Sequence, residues 1–367
     1  MKIVGLMSGS SLDGLDVAFC EFQFANDTVA AWQMVAAETM PYSEDWQARL
    51  RELPHVSGRD LLLAHAHYGH YVGELVNTFL QKYALQPDFI ASHGHTVFHF
   101  PKEKMTLQIG DGSAIAAVTG YPVVCDFRAM DVALGGQGAP MAPIADRYLF
   151  SEYDFMLNLG GIANITANMN RKYIAFDIGG ANQVLNKLVQ PLDLEYDAGG
   201  KIAASGKLIP TLLQAADALP YHHDAYPKSL GNDWVQEQLI PIYTNYTADI
   251  KDKLHTAVVQ IARQTAKDIQ QIIQNEQFIK DNYRLLATGG GAYNDFLIQC
   301  LRDSCQALGV EIVVPDSNII GFKEAAMIAL AGLLRWQQQP NCIASVTGAS
   351  RDAIGGGIYW VNPALRQ

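Results

Sequence analysis

An α/β protein of two domains is predicted by three features of the sequence. Strand-like and helix-like stretches alternate along the chain, Gly-rich turns close several apolar strands, and 367 residues exceed one ordinary domain. Residues 3–7 are a short apolar run that stops at Ser8-Gly9-Ser10-Ser11, the pattern of a buried strand entering a tight turn. Residues 16–24 supply the second arm of a hairpin and 28–38 a third strand. From 57 to about 83 the pattern becomes helical, with Leu61, Tyr68, Val72, Leu75, Val76 and Phe79 recurring at threes and fours. Short strands follow at 88–92, 106–109 and 122–125, the last two separated by a helix-like 111–119. A second series begins with strands at 154–159, 162–167 and 173–176 and enters a helix near Asn182. Two strands flanking a Gly-rich turn, then further strands and helices, thus occur twice. Helices at about 247–276, 293–308 and 322–337, with a strand at 284–287, complete the alternation and predict mixed sheets.

Composition excludes several classes. With 49% hydrophobic and 17% charged residues the chain has ample material for a core and none of the signature of disorder. The formal net charge is −11 and no basic run occurs, which argues against a nucleic-acid partner. An anionic ligand would then be held by backbone N–H groups, a metal ion and a few placed cations. The five cysteines are odd in number, lack C-x-x-C and fit no zinc spacing, so free thiols in a reducing compartment are expected. The N-terminal apolar run turns polar at Ser8, and no apolar run reaches the roughly 20 residues of a membrane helix. A cytoplasmic protein without a membrane partner is expected.

Three Gly-rich turns follow apolar strands: Gly9-Ser10-Ser11-Leu12-Asp13-Gly14, Asp177-Ile178-Gly179-Gly180-Ala181-Asn182 and Gly289-Gly290-Gly291-Ala292. None fits the P-loop or the dinucleotide fingerprint. Each offers clustered N–H groups that can cradle a phosphate, because no Cβ blocks the approach. With acids at Asp13 and Asp177 beside two of them, they predict a nucleotide shared between two lobes.

This arrangement resembles the sugar kinase–actin–hsp70 superfamily, where two turn-bearing lobes clamp ATP and a third glycine turn backs the adenosine. Residues 5–16 read GLMSGSSLDGLD, similar to the GLMSGTSLDGID signature of anhydro-N-acetylmuramic acid kinases. Further motifs similar to that family follow in its order: His93-Gly94-His95-Thr96-Val97-Phe98-His99, Gln108-Ile109-Gly110-Asp111, and Asp126-Phe127-Arg128 with Asp131. Residues 135–140 (GGQGAP), 158–166 (NLGGIANIT), Pro227-Lys228-Ser229 and Thr347-Gly348-Ala349 complete the series. The resemblance implies a two-lobed actin-like ATPase or sugar kinase fold, with mixed sheets in each lobe and an inter-lobe cleft. Residues 1–130 plus about 343–367 would form the first lobe, with the N-terminal phosphate hairpin. Residues 131–342 would form the second, with the second phosphate turn and the adenosine-side glycine turn. ATP and Mg²⁺ are the implied cofactors and an amino sugar the implied substrate, with a homodimer left open. The implied reaction phosphorylates 1,6-anhydro-N-acetylmuramic acid while hydrolysing its anhydro ring, giving N-acetylmuramic acid 6-phosphate for cell-wall amino-sugar recycling.

Under the resemblance, Gly9, Ser10, Ser11, Leu12, Asp13, Gly14 and Asp16 contact the nucleotide, as do Gly179, Gly180, Gly289, Gly290 and Gly291, with Asp13 as the Mg²⁺ ligand. Asp177 is the candidate general base, its alternative being an Asp that caps the local turn. Opening an internal acetal resembles glycoside hydrolysis, which normally takes an acid and a base. If the leaving O6 is captured by the γ-phosphoryl group, one carboxylate suffices. His93, Arg128, Asp131 and Asn182 are candidate substrate contacts. The fork of Arg128 suits the lactyl carboxylate, and its alternative is an inter-domain salt bridge with Asp131 or another acid. His93 and His95 share one side of a strand without a third metal ligand, which favours hydrogen bonding at the sugar site or a hinge. Lys228 reads as a surface cation and Glu324 as a helix-dipole residue.

The chain departs from the family at DTGPGN, which is here Asp177-Ile178-Gly179-Gly180-Ala181-Asn182. Asn186 replaces a common Asp, His95 a Gln and Asn232 an Arg. These departures support a second reading: a relative that binds ATP but has changed or lost the sugar reaction, acting as a nucleotide switch or chaperone-like ATPase.

Overall fold

The computed structural model describes residues 1–9, 12–26, 28–169 and 172–361. Its strands are β1 (Lys2–Ser8), β2 (Gly14–Ala25), β3 (Thr28–Pro41), β4 (Phe89–Phe100), β5 (Met105–Ile109) and β6 (Val123–Cys125), then β7 (Phe155–Leu159), β8 (Ile162–Met169), β9 (Lys172–Gly180), β10 (Tyr283–Thr288), β11 (Val310–Val313) and β12 (Gly357–Tyr359). The chain divides into two units, Met1–Phe150 with Gly321–Gln367, and Ser151–Ile320.

Each unit is built on one mixed sheet. The first runs β12-β6-β4-β1-β2-β3 with β5 on β4, and the second β11-β10-β7-β8-β9. In the first, β1, β2 and β3 form an antiparallel meander, while β4 runs parallel to β1 and β6 to β4. In the second, β7, β8 and β9 form the meander, while β10 runs parallel to β7 and β11 to β10. The order β3-β2-β1-β4-β6 therefore repeats as β9-β8-β7-β10-β11, and the two-fold recurrence predicted from the sequence is present in strand order and sense.

Burial explains the strand patterns. Ile3, Val4 and Leu6 on β1 are fully buried, as a central strand covered on both faces requires. The helix Gly58–Lys82 is capped at its start by Ser57 and buries Ala64, Tyr68, Val72, Val76 and Phe79, a stripe that returns about once per turn. The helix Ser317–Trp336 is long and apolar enough to cross a membrane, yet its residues 325–334 are core of the first unit. A Cβ on Gly5 would lie 1.9 Å from the Ala325 carbonyl oxygen, so this helix rests directly on β1. In the second unit the helix Ile250–Asn275 supplies Leu254, Val258, Ile261 and Ile269 to the core.

The unit boundaries fall at 150/151 and 320/321, where the sequence placed them near 130/131 and 342/343. Two segments account for the difference. Trp32 Nε1 donates to the Leu149 carbonyl and its ring meets Phe150 edge-on, tying the region after 131 to the first sheet. The helix under β1 does the same for the residues after 321.

Candidate functional site

The first unit presents the β1–β2 turn. Ser10 and Ser11 lie outside the described residues. Gly9 follows β1, Leu12 has φ 60°, and Asp13 is exposed. Gly14 already belongs to β2, where a Cβ would sit 2.6 Å from the Met40 carbonyl oxygen, so close packing with β3 accounts for this glycine. Asp16 lies on β2 and accepts from Thr39 Oγ1 at 2.6 Å. Burial raises its pKa, and the charges of Asp13 and Glu324 add to the rise. Among the described residues no group of three His, Cys, Asp or Glu side chains converges as an ion cage.

A buried hydrogen-bonded row, which adds Tyr42 and Tyr68 to the motif residues Ser8 and His95, holds the start of this turn. Tyr42 and Tyr68 hydroxyls meet at 2.6 Å, Tyr42 donates to Ser8 Oγ at 2.8 Å, and Ser8 Oγ lies 2.9 Å from His95 Nδ1. Ser8 Oγ, which has two acceptor lone pairs, takes the Tyr42 proton and still bonds His95 Nδ1. Burial lowers the His95 pKa and favours the neutral ring.

His93, Arg128 and Asp131 come together in the same unit, in a different arrangement from the one expected. Arg128 donates from Nε to His93 Nε2 at 2.8 Å and from Nη1 to the Gly138 carbonyl at 2.6 Å. His93 Nδ1 lies 2.9 Å from the Gly94 carbonyl and must carry the ring proton. Burial first, and Arg128 second, lower its pKa to about 4. Both ring nitrogens are thus occupied, so His93 orients Arg128 and is not itself placed for a sugar. Asp131 is fully buried and accepts from Gly138 N and Thr347 Oγ1, both at 2.7 Å. It is neither a substrate contact nor the salt-bridge partner of Arg128. Its carboxylate holds the loop that carries Gly138.

In the second unit Asp177 lies on β9, half-buried, beyond a bulge that skips Ile178. Its Oδ2 accepts from Ser229 Oγ at 2.8 Å and from Leu230 N at 3.1 Å. The motif Pro227-Lys228-Ser229 is therefore packed on Asp177. Lys228 is not a surface cation: its side chain is 6% exposed and pairs with Asp268 at 3.7 Å. Gly179 and Gly180 do not form a turn. Both are buried on β9, where their missing Cβ atoms make room for the His222 ring and for Val235 and Leu239.

Strand order identifies the counterpart of the β1–β2 turn as the β7–β8 turn, Gly160-Gly161, which the sequence reading passed over within 158–166. Ala181 N donates to the Gly161 carbonyl and Asn182 N to that of Gly160, fastening this turn to the helix Asn182–Val189. Asn182 Nδ2 donates to the Leu159 carbonyl at 3.0 Å. Asn182 also lines, with Gly290, Gly291, Asn186, Tyr196 and Tyr293, a cavity of about 360 Å³. The third glycine turn thus adjoins the cavity through Gly290 and Gly291, while Gly289, at φ 81°, packs against Asn158 and Leu159. Asn182, expected at the sugar, belongs to this cavity. A larger, open depression of about 1010 Å³ lies at the start of β10 and β11, where Lys280 pairs with Asp154 and Arg284 with Glu311.

The sequence profile of the anhydro-N-acetylmuramic acid kinases matches residues 1–361. The chain belongs to the anhydro-N-acetylmuramic acid kinase family. Anhydro-N-acetylmuramic acid kinases of Coxiella burnetii (strain Dugway 5J108-111) and Shewanella putrefaciens (strain CN-32 / ATCC BAA-453) are 33% and 35% identical to it. The first alignment covers 98% of this chain and 97% of the relative, the second 97% and 98%. Solved structures similar to this family member include the activator of the 2-hydroxyisocaproyl-CoA dehydratase from Clostridium difficile with bound ADPNP. It is 13% identical with a TM-score of 0.42, covering 92% of this chain and 97% of the activator. A ROK family glucokinase from Streptomyces griseus in complex with glucose and AMPPNP is 10% identical with a TM-score of 0.37, covering 92% and 100%.

Proposed function

We propose that the chain phosphorylates 1,6-anhydro-N-acetylmuramic acid with ATP and water, giving N-acetylmuramic acid 6-phosphate and ADP in cytoplasmic recycling of cell-wall amino sugars. One observation carries this over the nucleotide-switch reading: the departures from DTGPGN face inward. Ile178 is 1% exposed in the apolar core, and Ala181 and Gly180 are buried beside it. The lost hydroxyl and proline are thus replaced by packing, while Asp177 and Asn182 keep their polar groups.

Water attacks C1 of the anhydro sugar and Asp177 takes its proton. The C1–O6 bond breaks, and O6 forms a bond to the γ-phosphorus as ADP leaves. The outgoing oxygen needs no separate acid because it is phosphorylated. In the second unit Gly160-Gly161 supplies N–H donors for phosphate, and the cavity beside Gly290 and Gly291, with Tyr196 and Tyr293 on its wall, suits the base of the nucleotide. Arg128 takes the lactyl carboxylate through its remaining guanidinium N–H groups. Bound Mg²⁺ would neutralise phosphate charge; Asp13 is exposed for it, and Asp16 and Glu324 add negative charge nearby.

Incubation with ATP and the anhydro sugar should yield the 6-phosphate by mass. Asp177→Asn should lower turnover by about 10²–10⁴ with nucleotide binding retained. ATP hydrolysis without any sugar phosphate would favour the switch reading.

A further inference from the structure

We infer that Ser229 is a positioning residue that pins the Asp177 carboxylate by Oδ2, so that Oδ1 is the oxygen that takes the proton from water; this rests on the reading of Asp177 as the base. A carboxylate turning about its last torsion can offer either oxygen to a substrate. Here two donors converge on one of them, Ser229 Oγ at 2.8 Å and Leu230 N at 3.1 Å, and no hydrogen bond among the described residues uses the other.

The segment that brings these donors is itself anchored. Asp177 N donates to the Lys228 carbonyl at 3.1 Å, so residues 228–230 grip Asp177 through backbone and side chain together. Lys228 Nζ reaches inward to Asp268, whose side chain is 1% exposed, and donates to the Tyr221 carbonyl at 3.2 Å. The ammonium also lies 4.8 Å from the Tyr221 ring centre, and the Tyr221 hydroxyl donates to the Asp177 carbonyl at 2.7 Å. Asp177 is thereby held at its N–H, its carbonyl and one carboxylate oxygen. A base aligned in this way keeps the proton acceptor within a narrow range of approach, the kind of placement to which rate is sensitive.

The test measures kcat, both KM values and the thermal midpoint for Ser229→Ala, Ser229→Thr and Asp177→Asn. Ser229→Ala should lower kcat about 10-fold, with Leu230 N still in place, and leave KM for ATP and the midpoint near wild type. Ser229→Thr, which keeps the hydroxyl, should restore kcat. Unchanged kcat in Ser229→Ala beside a collapsed Asp177→Asn would overturn this inference and leave the base intact. Near-wild-type turnover in Asp177→Asn would remove the base, and the inference with it. A fall in midpoint with a raised KM for ATP, unrescued by threonine, would mean that Ser229 serves only the fold.

Discussion

Arg128 commits Nε to His93 and Nη1 to the Gly138 carbonyl, which leaves one edge of its guanidinium for a ligand. Replacement by lysine keeps the charge but cannot reproduce the fork. Arg128→Lys should therefore cost about 1.5–3 kcal/mol in kcat/KM with the muramic substrate, the range for a hydrogen bond to a charged group. The penalty should largely vanish with anhydro-N-acetylglucosamine, which lacks the carboxylate. Measuring both sugars on both proteins decides the point, because equal penalties would take Arg128 out of the binding site. Residue types and motif positions marked Arg128 and Asp131 as a pair worth attention. They did not mark the division of labour, since the partner of Asp131 is Thr347, 216 residues away.

At the scale of elements, runs of glycine proved ambiguous. Gly9 stands at a hairpin turn, Gly179 on a strand under a histidine ring, Gly180 on the same strand under Val235 and Leu239, and Gly5 where a helix backbone meets β1. A Gly-Gly pair in a sequence reports only that a Cβ is unwelcome, and a turn, a ring and a helix can each be the reason. Gly5→Ala would push a methyl group to within 1.9 Å of the Ala325 carbonyl oxygen. Relief requires the core helix to shift, at a cost of about 1–3 kcal/mol or more. The thermal midpoint of the first unit should fall by several degrees. Gly58→Ala is the control: beyond its own chain neighbours and helix backbone no atom lies within 4 Å of the added methyl group, and its midpoint should not fall. A Gly5→Ala protein as stable as the control would refute the close packing of helix and strand.

For the whole molecule, buried histidines lower the acid side of the stability curve, while Asp16, Asp126, Asp217 and Asp268, raised by burial, oppose them. His93 in the first unit and His222 in the second are both lowered to about 4 by burial, with Arg128 beside the first and Lys228 and Lys267 beside the second. Below the ordinary histidine pKa of about 6.5 the unfolded chain takes up these protons while the folded chain does not, so stability falls as pH drops from 6.5 towards 4. At pH 5 the loss is about 2 kcal/mol for each ring. Asp146 works in the opposite direction. Burial raises it to about 6, partly offset by Lys323, so the folded state binds its proton first and gains about 1 kcal/mol by pH 5. The thermal midpoints should drop between pH 7 and pH 5, less steeply in His93→Gln and His222→Gln, and more steeply in Asp146→Asn. A pH dependence of the midpoint left unchanged by His93→Gln and His222→Gln would contradict the neutral buried state of both rings.

The alternation of strands and helices, the doubled meander, the buried stripe of the helix Gly58–Lys82 and the family motifs were all legible in the amino-acid order. Each depends on neighbours a few residues apart, where side-chain period and turn chemistry act directly. Of the shortest strands, β6 was legible as an apolar run, while β11 and β12 escaped, with no period to detect in so few residues. The unit boundaries and the partners inside the site were decided only by tertiary structure. Sheet order brings His93 to Arg128 across 35 residues and Asp177 to Ser229 across 52. A hydrogen bond between such positions depends on where two segments end up side by side, and local patterns of apolar and polar residues carry no information about that meeting.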